Sequence, residues 1–286
     1  MEINSETPQG PPRDAATVVM LRDTPGGLEV FLVKRHGLSD VLGGAYVFPG
    51  GKLDVTDALL GAHLDQTADT LHAALGEPQT PAATALGLYV AAVREAYEES
   101  GVLFATAASA IAPVQNGATQ ETFNAWVQSQ GITLQTRQVV PWTRWITPRM
   151  PSVSSKRFDT RFFVAEVPFG QVARHDDYET TASAWLQPRK ALQQYWDREI
   201  ELAPPQIMSL AHLSRHATVQ SVLHEARSRL PPVILPETSD QNGERMICYP
   251  GDPLHSCAKA AIPGPTRVYF RNRRFEPAAG LSALWL

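Results

Sequence analysis

The chain has 286 residues, 43% of them hydrophobic, and a formal net charge of −4. It is long enough for one large domain with attachments and apolar enough for a substantial core, while the acidic balance excludes a broad basic footprint for nucleic acid. The two cysteines, Cys248 and Cys257, exclude a disulfide framework and suit a reducing cytoplasm; with His255 between them they fall short of the four ligands structural zinc takes.

Residues 1–14 are polar and proline-rich and read as a flexible tail. They have neither the basic start nor the apolar core of a secretion signal. No later run approaches the roughly 20 apolar residues of a membrane span, so a soluble cytoplasmic protein with no membrane partner is expected. "ATVVML" (Ala16 to Leu21) and "LEVFLVKR" (Leu28 to Arg35) read as strands, and the "DTPGG" between them predicts a hairpin. "AYVFPGGKLD" gives a short strand and a Pro-Gly-Gly turn at Pro49 to Gly51. Residues 55–79 carry mixed signals and read as an insertion with some helix.

A long helix is predicted from Thr80-Pro81 to Ser100, with Thr80 able to cap it and Gly101 suited to end it. Leu86, Val90, Val93 and Tyr97 form its apolar stripe. Further on, Thr119 to Gly131 reads as a helix, Val139 to Pro148 and Arg157 to Pro168 as strands, and Tyr178 to Pro188 as a turn into a short strand. Pro188 to Trp196 and Pro204 to Leu230 read as helices. "LPPVILPETSD" breaks that pattern, so residues 231–286 form a C-terminal extension packed on a main domain of residues 15–230. Trp142, Trp145 and Trp185 read as strand core, and "RVYFRNRRF" (Arg267 to Phe275) as a basic edge strand. His212, His216 and His224 follow helical spacing in part, with no acidic partner in view.

The chemistry lies in "VREAYEESGV" (Val93 to Val102). Glu95, Glu98 and Glu99 stand at i, i+3 and i+4, so one helical face carries three carboxylates, and like charges so placed repel by a few tenths of a kcal/mol per pair. Arg94 can relieve part of this by pairing with Glu98. Two readings are open on spacing alone: a solvated helix surface, or half of a site for a hard cation such as Mg²⁺, completed by substrate phosphate oxygens and water. The chain has neither a GxSxG nor a GxxxxGK[ST] motif, so neither a serine nucleophile nor a P-loop is indicated.

Read together, "FPGGKLD" and "REAYEESG" resemble the box of the Nudix hydrolases. Arg94, Glu95, Ala96, Glu98, Glu99, Gly101 and Val102 fill its second half without a gap, and Gly50-Gly51 resembles its opening loop. Two departures stand out. The glutamate expected eight residues before Arg94 falls at Leu86, with Asp54 or Asp57 available to replace it structurally, and an insertion separates loop from helix. An insertion there resembles the coenzyme A diphosphatases typified by the animal peroxisomal enzyme, as do "WTRWITP", "RFDTRFF", the Glu179 to Trp185 spacing, "LAPPQ" and "YPGDP". The resemblance implies an α/β (α+β) fold, a mixed β-sheet sandwiched between helices. It implies a diphosphatase using Mg²⁺ or Mn²⁺ held by Glu95, Glu98, Glu99 and the carbonyl near Gly51, with Arg94 orienting a glutamate and Glu179 as further ligand or base. The expected substrate is coenzyme A or an acyl-coenzyme A, with ADP-ribose or NADH as the enzymatic alternative and a nucleotide-sensing module as the non-enzymatic one. Arg35, Arg157 and Arg161 are the candidate phosphate contacts. The expected partner is a small nucleotide-type molecule rather than nucleic acid, and a homodimer is one of the open oligomeric states.

Overall fold

The computed structural model describes residues 10–37, 39, 42–106, 122–150, 156–176, 179–241 and 243–285. Residues 1–9 of the expected tail and the start of the helix expected from Thr119 lie outside them. The hairpin is β1 (Arg13–Thr24) and β2 (Gly27–Arg35), with Thr24 opposite Gly27. Then come β3 (Tyr46–Val47), β4 (Gly50–Lys52), a 3₁₀ segment at Asp57–His63, α1 (Ala68–Leu75) and α2 (Ala82–Ser100). A small pair, β5 (Ala105–Thr106) and β6 (Thr133–Leu134), flanks α3 (Phe123–Ser129). The chain continues through β7 (Val140–Ile146), β8 (Phe158–Glu166), β9 (Thr180–Leu186), α4 (Pro188–Trp196), α5 (Pro204–Leu213) and α6 (Val219–Ser228). It ends with β10 (Val233–Ile234), β11 (Glu237–Gln241), β12 (Glu244–Cys248), β13 (Arg267–Arg271) and β14 (Arg274–Glu276).

The main sheet runs β10-β7-β8-β1-β2-β3, with β4 on β1 and β9 on β2. It is mixed: β1 pairs parallel with β8 and antiparallel with β2 and β4. Strand residues alternate between faces, and both faces are covered. Ala16, Val18 and Met20 of β1 pack with α2 and its neighbours on one side; Val19 and Leu21 pack with α4, α5 and α6 on the other. That double burial explains why β1 reads as an unbroken apolar run.

α2 is buried on most of its circumference, and the expected stripe of Leu86, Val90, Val93 and Tyr97 is only part of its apolar surface. Gly101 ends it with φ 72°, and its N–H returns to Tyr97 O at 2.8 Å. Thr80 does not cap it: Pro81 holds that position, and the Thr80 hydroxyl donates to Glu77 instead. The single helix expected over Pro204 to Leu230 is two, because Thr218 accepts from Ser221 N and starts α6 afresh. β11 to β14 form an antiparallel sheet whose Ile247, Val268 and Phe275 join the second core. Beyond Pro231, β10 also adds a strand to the main sheet beside β7. Trp142 and Trp145 are core residues.

Candidate active site

β4 brings the Gly50-Gly51 turn against α2 although 43 residues separate Gly51 from Arg94. Gly50 N donates to Glu99 Oε2 at 3.1 Å. Gly51 lies so close to Glu95 that an added Cβ would fall 2.6 Å from Glu95 Oε2, so any side chain there would push the Glu95 carboxylate aside. Pairing of β4 with β1 fixes the turn in place, with Gly51 opposite Ala16.

Arg94 ties three segments together. Its Nε and Nη2 donate to Asp57 Oδ1 and Oδ2, both at 3.0 Å; Nη1 donates to Glu95 Oε1 at 2.7 Å and Glu98 Oε2 at 2.9 Å; Nη2 also reaches Lys52 O at 3.0 Å. These contacts use all five N–H groups of the guanidinium. Asp57 is fully buried and also accepts from Asp54 N at 2.9 Å and Asn124 Nδ2 at 3.1 Å. Of the two aspartates near the turn it is Asp57 that clasps Arg94, while Leu86 is core. The stretch 55–79, read as an insertion, thus contributes a central contact through Asp57. Asn124 has no motif around it and was not legible in the sequence.

The three glutamates are partly or wholly withdrawn from water. Glu99 is 3% exposed. Burial pushes Glu95 up to about 7 against the pull of Arg94, and pushes Glu99 up to about 8, with the Glu95 charge adding to the shift and the Gly50 N–H and Arg35 opposing it. Glu98 is raised too, again chiefly by burial. The charge of Glu179 raises all three, which sets it near the cluster; its side chain is exposed, and its carbonyl accepts from His36 N at the end of β2. With Arg94 already matched by Asp57, the remaining carboxylates outnumber the nearby cations. Such a donor set, carboxylate oxygens beside a turn carbonyl, fits a hard divalent ion.

The three candidate arginines separate. Arg35 acts on Glu99, and its Nε is buried without a partner. Arg161 is corrected: it is 3% exposed and its guanidinium is bound to Glu77 Oε1 at 3.0 Å and Oε2 at 2.6 Å, to Asp14, and to Asp159 O at 3.0 Å. With Arg144 also on Glu77 and Asp159, three carboxylates meet two arginines, leaving no positive excess for a phosphate. Arg157 is held by a local carbonyl, with Nε and Nη2 both donating to Thr147 O at 3.1 and 3.0 Å.

An acidic helix laid on a doubly covered mixed sheet and clasped to a Gly-Gly turn is the arrangement of the Nudix fold. Residues 62–213, just over half of the chain, match the family model described as the NUDT19 Nudix domain, and the chain belongs to that family. It is 25% identical over 234 residues to the acyl-coenzyme A diphosphatase NUDT19 of Xenopus laevis, a match covering 68% of this chain and 62% of that protein. It is 26% identical over 250 residues to putative nudix hydrolase 7 of Caenorhabditis elegans, covering 85% and 74%. A solved Nudix hydrolase from Alicyclobacillus acidocaldarius superposes with a TM-score of 0.61 at 24% identity, over 77% of this chain and 97% of that one. That likeness supports the same fold.

Proposed function

We propose that the chain hydrolyses the diphosphate linkage of coenzyme A or an acyl-coenzyme A, releasing 3′,5′-ADP and (acyl-)phosphopantetheine. The observation that carries the reading is the closure of Gly50-Gly51 onto Glu95 and Glu99, two carboxylates whose proton affinity is raised by burial. The substrate class rests on the family and on the relatives named acyl-coenzyme A diphosphatase.

Glu95, Glu98, Glu99 and the Gly51 carbonyl would hold Mg²⁺ or Mn²⁺. Such an ion supplies neutralisation of the diphosphate charge and a more acidic water. The protein groups do the rest. Arg94, held by Asp57, fixes the directions of Glu95 and Glu98. Glu179, exposed beside the cluster, takes a proton from the attacking water. Arg35, half-buried beside Glu99, offers its guanidinium to a phosphate oxygen, a charge-assisted contact worth roughly 1.5–3 kcal/mol. Residues 15–230 act as the hydrolase domain and 231–286 as its packed extension. The working protein needs no nucleic acid or membrane partner, functions in the cytoplasm and is open to homodimer formation. Among the described residues no helix is long and apolar enough to cross a membrane.

The test is kcat/KM for coenzyme A, ADP-ribose and NADH under one set of Mg²⁺ conditions, with the phosphomonoester product quantified. Coenzyme A should lead. A lead of more than about tenfold for either alternative would reassign the substrate, and no turnover of any of the three would remove the hydrolase reading.

A further inference from the structure

On the sheet face opposite the acidic helix, the break between α5 and α6 folds one carboxylate onto two imidazoles. His212 Nε2 lies 3.0 Å from Glu225 Oε1 and 3.3 Å from Oε2. His216 Nε2 lies 3.0 Å from Oε2. One ligand atom from each residue lies within 4.8 Å of the others. The acidic partner missing from the sequence reading is thus Glu225, returned by α6. His212 is buried, while the Glu225 side chain is 32% exposed, so the cluster opens to solvent on one side.

The hydrogen bonds around His216 fix its tautomer. The Ser221 hydroxyl donates its one proton to Thr218 O at 2.7 Å and lies 3.0 Å from His216 Nδ1. With that proton committed, Nδ1 must be the donor to Ser221, and in a neutral ring the lone pair is then on Nε2. That lone pair faces a carboxylate oxygen at 3.0 Å. Two acceptors so placed repel unless a second ring proton or a metal ion lies between them, and the site is open to either. A histidine that gives its other N–H to a fixed acceptor is also the usual arrangement of a metal ligand. Arg229 grips Glu225 Oε1 through Nε at 3.0 Å and Nη2 at 2.8 Å, and is itself anchored on Trp142 O at 3.0 Å. Its hold on Oε1 leaves Oε2 to face His216 Nε2 at 3.0 Å and His212 Nε2 at 3.3 Å.

We propose that His212 Nε2, His216 Nε2 and Glu225 Oε2 form a second metal site, separate from the acidic helix, that takes Zn²⁺ or a similar borderline transition ion and cross-links the end of α5 to α6. Two imidazoles and one carboxylate select such ions over Mg²⁺, and water completes the tetrahedron from the open side. Ligand atoms 2.0–2.1 Å from a tetrahedral ion lie about 3.3 Å apart. The His212 distance to Oε2 already has that value, and the His216 distance needs a few tenths of an ångström.

The test uses metal-free full-length chain with Mg²⁺ in large excess to occupy the acidic helix, titrated with Co²⁺ and then Zn²⁺. One equivalent of Co²⁺ should give the strong visible absorption of a four-coordinate site, and Zn²⁺ should displace it and raise the unfolding temperature. His216→Gln and Glu225→Gln should lose both responses with unchanged circular dichroism. Ser221→Ala, which keeps every ligand, should weaken Zn²⁺ about 10–100-fold, so the proposal stays testable if either ligand variant misfolds. A folded wild-type chain showing neither response, a band that survives His216→Gln, or nitrogen NMR showing both His216 nitrogens protonated and insensitive to Zn²⁺ would overturn it.

Discussion

Asp57→Asn is the most informative single change near the acidic helix. Asp57 is fully buried and accepts four hydrogen bonds, two of them from Arg94. The amide keeps the shape, removes the charge and points N–H groups at donors on one side. Removing one partner of a buried ion pair costs about 3–5 kcal/mol. Arg94 keeps Glu95 and Glu98 and its side chain is 13% exposed, so the lower end applies, about 3 kcal/mol. At about 2–4 °C per kcal/mol, the thermal midpoint should fall by about 6–12 °C. The freed guanidinium should lean further onto Glu95 and Glu98, so a cation must compete with it. One charge-assisted hydrogen bond of about 1.5 kcal/mol raises the Mg²⁺ concentration for half-maximal hydrolysis about tenfold, while kcat at saturating Mg²⁺ stays within about tenfold of wild type. Scanning calorimetry and an Mg²⁺ titration of coenzyme A hydrolysis read the two effects. An unchanged midpoint with an unchanged Mg²⁺ requirement would refute the role, as would a loss at saturating Mg²⁺ as complete as that of Glu98→Gln.

Glu98→Gln and Glu99→Gln should each lower kcat by orders of magnitude with an unaltered far-ultraviolet spectrum; normal Mg²⁺-dependent turnover in both would end the metal assignment on α2. Gly51→Ala should place a methyl against the Glu95 carboxylate and weaken Mg²⁺ binding in calorimetric titration without unfolding the chain. Arg35→Gln should weaken coenzyme A about tenfold or more, read as KM, and an unchanged KM would discard that contact. The raised acids also set a pH signature. Glu95 at about 7 and Glu99 at about 8 hold protons in the folded state that the unfolded chain releases near 4.5. The native state therefore binds more protons across that window, and stability without metal should fall as pH rises from about 5 to 8. Saturating Mg²⁺ should flatten the slope, and a metal-free midpoint that rises over this range would contradict the shifts.

The sequence exposed those parts of the fold whose signals are local. Glutamates three and four residues apart share a helix face, Gly101 marks its end, and "DTPGG" marks the first hairpin. The partner of Arg94 was narrower than a guess, since Asp54 and Asp57 were both in reach of the idea, but choosing between them required the 3₁₀ turn that buries one and exposes the other. Arg161 was hidden for the opposite reason. Arg161 looked available because its carboxylates come from Glu77, 84 residues away, and Asp14, 147 residues away. No local pattern records such distant charges. The break before α6 leaves only a local trace, Thr218 three residues before Ser221.

The ionic group around Arg161 bears on how the sheet finds its frame. β1 and β8 are far apart in the chain and pair in parallel, with Asp14 opposite Asp159 and Ala16 opposite Arg161. Both strands are rich in interchangeable apolar residues, so hydrophobic contact alone discriminates weakly between neighbouring frames. A shift of one residue would send Asp14 to the other face and leave Arg161 with a carboxylate fewer in a nearly dry interior, at a cost of several kcal/mol. A shift of two would restore the face but misplace the charge by about 6.6 Å along the strand. The charged group thus works as a key cut for one alignment of the two central strands, and that same alignment carries β4 and its glycines to the acidic helix.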